Sequence, residues 1–198
     1  DDKTNRLTSM ASEGKAAGGA GGGGGGFKLG GLKLDIPREE TEKLFPEELR
    51  GYVDSGACTG KEDDRTVAVY DCRNADYEGG TIPGAEHIPF DPEKVKETIP
   101  GLVSKNADKK KVVFVCLYGE QRSPAIATAY AVHQAASLPE GEGPTVCVLI
   151  GGFARYLREN WEERTNTAVV AGFDPDQWLP EDGAEGRWVH RSTIDGSA

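Results

Sequence analysis

Val112-Val-Phe-Val-Cys116-Leu-Tyr-Gly-Glu-Gln-Arg122-Ser-Pro-Ala is the stretch on which the reading of this chain turns. An apolar, β-branched run ends in a cysteine, five residues separate that cysteine from an arginine, and a Pro-Ala-rich, helix-forming run follows. A loop that wraps from strand to helix points its backbone N–H groups inward, and the helix adds the positive end of its dipole. Arg122 can close such a cradle with a planar, bidentate fork. Cys116 would then face a tetrahedral oxyanion held by the backbone of Leu117, Tyr118, Gly119, Glu120, Gln121, Arg122 and Ser123. The same field favours the thiolate, which makes Cys116 the candidate nucleophile. A cysteine and an arginine at this spacing also arise by chance. The competing reading is a buried cysteine ending a core strand, with Arg122 on the surface. Placement at a strand-to-helix switch favours the site, because anion sites in α/β sheets lie at the carboxyl ends of strands.

Two further motifs flank this one. Val67-Ala-Val-Tyr-Asp71-Cys72-Arg73-Asn-Ala-Asp-Tyr77-Glu78-Gly79-Gly80-Thr-Ile82-Pro-Gly84-Ala85-Glu-His87-Ile88-Pro resembles the first signature of rhodanese-fold proteins. Val146-Cys-Val-Leu-Ile-Gly151-Gly152-Phe153-Ala-Arg-Tyr156 is similar to the strand–Gly-Gly–aromatic–helix segment that follows the active-site loop in that family. The resemblance spans roughly residues 42 to 160. It implies an α/β fold, a three-layer sandwich in which a central, mostly parallel sheet is flanked by helices.

Within that superfamily the loop length separates two chemistries. Single-domain sulfurtransferases usually place four residues between the catalytic Cys and a following Arg-Ser. This chain has five, like the dual-specificity phosphatases of cell-division control and the related eukaryotic arsenate reductases. The resemblance to that branch implies a ring of amides sized for phosphate or arsenate. It also implies a role for Cys72, which sits in an Asp-Cys-Arg run like the cysteine that can form a protective disulfide with the catalytic thiol; the competing reading is a small core residue at a strand end. Other features point to sulfurtransferases: Val115 stands where those phosphatases have a His, and Gly119 and Ser123 are similar to residues of sulfurtransferase loops.

The expected function is therefore a cysteine-dependent phosphatase or arsenate reductase, with a sulfurtransferase forming a Cys116 persulfide as the alternative. A catalytically idle rhodanese module that only binds partners is a third possibility, against which the intact Cys116 and Arg122 argue. Glu120 is the candidate proton donor for a leaving oxygen. It lies one position away from the loop Glu residues of the related phosphatases, and its side chain is expected to point to solvent. Asp71, Arg73 and Glu78 are expected to brace the loop through hydrogen bonds. No cofactor is expected, although an arsenate reductase would use glutathione or a similar thiol as co-substrate.

The surrounding elements follow from periodicity and punctuation. Phe45-Pro46-Glu47-Glu48 starts a helix that runs to about Asp54. Thr66–Tyr70 alternates into a strand ended by Asp71. Asp91-Pro92-Glu93 starts a helix halted near Pro100. Lys111–Val115 reads as the central strand, apolar at every position after the lysine and hence covered on both faces. Pro124–Ala136 forms a helix with a seam at Ile126, Tyr130 and His133 or Gln134. Val146–Ile150 is a further parallel strand, and Gly152–Trp161 its crossover helix. The segment from Ala168 onward, which contains Trp178 and Trp188, is expected to pack back on the domain.

Composition narrows the class. The net charge of −10 argues against nucleic acid and membrane surfaces as partners. The one basic run, Lys109–Lys111, precedes the central strand and belongs to a solvated turn at the opposite end of the sheet. No apolar run approaches the ~18 residues that span a bilayer. The four cysteines, at 58, 72, 116 and 147, include no C-x2-C pair, so no structural metal and a reducing compartment are expected. Cys147 reads as core and Cys58 as an exposed bystander; His87 and His133 read as structural. Residues 1–31 contain eleven glycines and are expected to be a disordered tail, with 1–9 a remnant of expression ahead of Met10. Residues 32–198 are expected to form one domain with a C-terminal extension. The sum is a cytoplasmic, monomeric enzyme acting on a small oxyanion or a phosphorylated substrate.

Overall fold

The structure, a computed structural model, describes residues 27–29, 32–34, 41–60, 65–181, 188–194 and 196. Phe27–Leu29 (β1) pairs antiparallel with Leu32–Leu34 (β2). The expected tail boundary at residue 31 thus falls inside a strand pair and has to move. The runs FKL and LKL on either side of Gly30-Gly31 alternate apolar and polar residues as a strand does, a pattern masked by the glycine content around them. Residues 1–26, with the suspected remnant at 1–9, lie outside the described residues.

The main sheet is built from Glu42–Leu44 (β3), then Pro46–Asp54 (α1), Val67–Asp71 (β4), Glu86–His87 (β5), Val95–Lys105 (α2), Lys111–Val115 (β6), Arg122–Ser137 (α3), Thr145–Leu149 (β7) and Gly152–Glu159 (α4). Its five strands are ordered β3-β7-β6-β4-β5, and every pairing is parallel. β6 is the central strand. Its side chains alternate between two cores: Val113 and Val115 pack with Leu49 and Val53 of α1 and with Phe153, Tyr156 and Leu157 of α4. Val112 and Phe114 pack on the other face with Ile99 and Val103 of α2 and with Ile126 and Tyr130 of α3. This is the expected three-layer α/β/α sandwich. From β4 the chain goes outward to β5, then returns to β6 on the other side of β4. The carboxyl ends of β4 and β6 therefore bound the crevice where such sheets place ligands.

α1 begins at Pro46 as expected, and the Phe45 amide donates to Glu48 Oε2 at 3.0 Å, closing the first turn. Asp91 accepts from the Glu93 amide at 2.9 Å, but regular helix starts at Val95 and runs through Pro100 to Lys105. Pro100 is exposed, whereas Ile99, Leu102 and Val103 are buried. Burying three aliphatic side chains, at about 1.5–3 kcal/mol each, outweighs a proline penalty of about 3 kcal/mol. α4 is not a crossover, because β7 is the last strand to join this sheet. It packs instead on α1.

Beyond α4 lie Trp178–Pro180 (β8), Trp188–His190 (β9) and the single turn Arg191–Ile194 (α5). β8 and β9 pair antiparallel. Trp178 is buried against Phe153, with ring centroids 5.8 Å apart, so this segment packs back on the core as expected. Cys58, expected at the surface, is buried with Val53 and Val67. Its polar, Gly-rich neighbours gave no sign that the chain after α1 folds under the sheet, and burial pushes its thiol up to about 11. Among the described residues no helix is long and apolar enough to cross a membrane.

Candidate active site

β6 delivers Cys116 to the carboxyl edge of the sheet, and α3 starts at Arg122. Between them the loop is held from behind by α4: the Phe153 amide donates to the Cys116 carbonyl and the Ala154 amide to the Leu117 carbonyl, each at 2.9 Å. In a trans peptide the C=O and the following N–H point in opposite directions. With these carbonyls turned toward α4, the amides of Leu117 and Tyr118 turn away from it. Among the described residues no acceptor meets the amides of Leu117 to Gln121. The first-turn amides of Arg122 and Ser123 have no intrahelical partner either. The closeness of loop and helix demands glycine at two places. A Cβ on Gly119 (φ +72°) would lie 2.4 Å from the Leu149 carbonyl oxygen, and one on Gly152 (φ +58°) would lie 2.2 Å from that of Cys116.

Cys116 is nearly fully buried, and the Ser123 hydroxyl donates to its sulfur at 3.1 Å. A cleft of about 320 Å³ opens over it, lined by Asn74, Leu117, Tyr118, Glu120, Gln121, Arg122 and Thr193. Tyr118 and Glu120 are exposed on its rim. Arg122 pairs end-on with Asp76, Nη1 to Oδ1 at 2.6 Å and Nη2 to Oδ2 at 2.5 Å. Burial pushes the Asp76 carboxyl up, but the Arg122 fork and the Asn74 amide outweigh it and hold the group below the ordinary carboxylate value. The same pairing raises the Arg122 guanidinium against its own burial.

Asp71, the last residue of β4, and Arg73 form a fully buried pair, Nη2 to Oδ2 at 2.7 Å. Arg73 also donates to the carbonyls of Asp76 (2.9 Å) and Gly80 (2.6 Å), with its guanidinium over the Phe153 ring. These two residues were expected to brace the loop; their side-chain bonds stay within residues 71–81, the segment beside it. Glu78, expected to brace with them, takes no part. Its side chain is exposed and makes no hydrogen bond among the described residues; only its carbonyl is engaged, by His190 Nε2 at 2.8 Å. The brace is Asp76, two positions earlier, because the turn Ala75–Tyr77 points Asp76 inward and Glu78 outward.

Cys72 is buried on the α2–α3 side of the sheet. Its amide donates to the Val115 carbonyl at 2.7 Å, which extends the β4–β6 register by one step and sets Cys72 opposite Cys116. Neighbouring strands lie about 4.8 Å apart, within the Cα range of a disulfide. Burial first, then the Asp71 and Cys116 charges, push the Cys72 thiol well above its ordinary value. His87 stacks on Tyr77 at 3.6 Å and donates from Nε2 to the Arg73 carbonyl, a structural role. Lys111 begins β6 at the opposite sheet end and pairs with Glu42. No group of three or more His, Cys, Asp or Glu that could hold a metal ion occurs among the described residues.

Asp76 and the C-terminal residues are what sequence reasoning missed. Asp76 carried a usable signal, an acid three residues past Arg73 in the turn after β4. Trp178 marked a segment that packs back on the domain but not its place beside the site, and His190 and Thr193 carried no signal. Trp178 Nε1 donates to the Gly79 carbonyl at 2.8 Å, His190 holds that of Glu78, and Thr193 lines the cleft.

Comparison with known proteins agrees with this architecture. Residues 58–159 match the family model of the rhodanese-like domain. The dual specificity phosphatase ibp1 of Schizosaccharomyces pombe is 28% identical, over 58% of this chain and 87% of its own length. Saccharomyces cerevisiae Ygr203w, described as a homolog of single-domain rhodanese and Cdc25 phosphatase catalytic domain, is 30% identical with a TM-score of 0.56. That match covers 75% of this chain and 97% of the yeast chain. A second structure of Ygr203w, described as a protein tyrosine phosphatase of the rhodanese family, is 28% identical with a TM-score of 0.53, covering 69% and 96%. With that family model matched over more than half of its length, the chain belongs to the rhodanese-like domain family.

Proposed function

We propose that this protein is a cysteine-dependent phosphatase whose loop from Cys116 to Arg122 grips a tetrahedral oxyanion. The observation that carries the reading is the set of unpartnered loop amides beside Cys116, closed by an arginine at the start of α3. Phosphatases among the relatives support it. The Cys116 thiolate attacks phosphorus in line, forming the S–P bond as the ester P–O bond breaks. Loop amides, the α3 dipole and Arg122 stabilise the equatorial oxygens. The leaving oxygen takes a proton from Glu120, the sole carboxylate among the described residues lining the cleft. Asp76 cannot serve, since its pairing with Arg122 keeps it ionised. Water then displaces the thiolate and releases phosphate. Arsenate has the same shape and charge and would occupy the same cradle: the Cys116 sulfur would bond to arsenic as one oxygen leaves as water, and a thiol such as glutathione would then attack that sulfur, forming a mixed disulfide while the S–As electron pair departs with arsenite.

The test is a parallel assay on an aryl phosphate, on arsenate with glutathione, and on thiosulfate with cyanide. Oxyanion turnover abolished by Cys116→Ser and reduced by orders of magnitude in Arg122→Lys is the expected result. Efficient sulfur transfer from thiosulfate to cyanide, tolerance of Arg122→Lys and no oxyanion turnover would instead assign a sulfurtransferase.

A further inference from the structure

We propose that Asp76 is the positioning residue for Arg122, holding its two terminal nitrogens so that the Nε edge becomes the face presented to the anion. This rests on the reading of the cleft as an oxyanion site. A guanidinium has five N–H donors. The pair with Asp76 uses one on each terminal nitrogen. The three that remain, Nε–H and one on each Nη, make no hydrogen bond among the described residues, and Arg122 lines the cleft with Cys116. Nε–H and its neighbouring Nη–H form a second, side-on fork of the same geometry as the one Asp76 occupies. Arg122 can thus keep its internal partner and still grip an oxyanion.

Asp76 is itself fixed. Its side chain is fully buried while that of Arg122 is 19% exposed, so of the two it is the anchor. The Asn74 amide donates to Oδ1 at 2.9 Å, and the Asp76 carbonyl takes Arg73 Nη1. Arg73 in turn is locked by Asp71 at the end of β4, and Asp71 also accepts from Thr81. A rigid line therefore runs from the sheet to the guanidinium.

The experiment titrates the whole protein with sodium tungstate while following backbone amides and the Arg122 side chain by nitrogen-15 NMR. Shifts of the Leu117–Ser123 amides together with the Arg122 Nε–H are expected, and Asp76→Asn should weaken tungstate binding by about 10- to 100-fold, the effect of a displacement near 1 Å. In an Arg122→Met background the same change should not weaken binding, since a residue acting through another has nothing left to position and the unpaired carboxylate only repels the anion. Loop shifts with a silent Nε–H would overturn the proposal alone. So would tighter binding by Asp76→Asn, which would make Asp76 a competitor of the anion, or an equal loss in both backgrounds. The wild-type Nε–H readout stands even if the variants fold poorly. No tungstate shift anywhere in Leu117–Ser123 would sink the oxyanion reading itself, and the proposal with it.

Discussion

Gly152→Ala tests whether α4 sets the position of the Cys116 loop. The new Cβ would lie 2.2 Å from the Cys116 carbonyl oxygen and 2.5 Å from that of Leu117. An ordinary C···O contact is about 3.3 Å, so loop or helix must retreat by about 1 Å. Both contacts are backbone, and no flexible side chain can swing aside. The retreat breaks the Phe153 and Ala154 amide bonds to those carbonyls, worth about 1 kcal/mol each, and adds about 1–2 kcal/mol for a side chain at φ +58°. A loss of about 3–4 kcal/mol is expected in urea unfolding, with an unchanged slope. Displacing the loop by about 1 Å should also reduce turnover by about 100-fold. Gly51→Ala is the matched control. It lies in α1 with nothing within 4 Å of the added Cβ and should gain about 0.5–1 kcal/mol. If Gly152→Ala unfolds within about 0.5 kcal/mol of the parent, the contact between α4 and the loop does not hold the site, and the reasoning fails.

Three further outcomes are expected. The Asp76 carboxyl lies below its ordinary value of about 3.9 in the folded protein, so its stabilisation is complete above that value and lost as pH falls through the folded one; wild type should lose more stability than Asp76→Asn between about pH 5 and about pH 3, and parallel curves would count against the pair. Burial depresses the His190 imidazole, so the unfolded chain binds its proton first and stability should fall as pH drops below about 6.5; His190→Gln should flatten that part of the curve, and an unchanged slope would argue against the burial of the ring. Mild peroxide should join Cys72 to Cys116, Cys116 passing through a sulfenic acid that Cys72 displaces as water; peptide mapping that finds Cys116 as sulfinic acid with Cys72 free would remove the protective role.

Much of the site was legible before folding because its signals are local. The apolar run Val112–Val115, the turn residues Gly119 and Gly152, and the helix after Arg122 each betray themselves within a few positions. The same holds for the proline and acids that open α1. Where a signal was local but weak, packing overrode it. α2 runs past Pro100 because Ile99, Leu102 and Val103 reach the core, and Cys58 is buried although its neighbours are polar.

By itself, then, the sequence determined the strand–loop–helix that carries Cys116, the five-residue spacing from Cys116 to Arg122, and the parallel sheet around it. Only the tertiary structure decided what holds these parts in place. Asp76 and Arg122 are 46 residues apart, and Trp178 and Gly79 are 99 apart. No periodicity or turn chemistry encodes such pairs. They arise because β4 and β6 lie side by side, so that the segments after both strands share one edge, and because the C-terminal aromatics find buried surface against Phe153. Hydrogen bonding and hydrophobic burial act between neighbours in space, and the sheet order makes these residues neighbours.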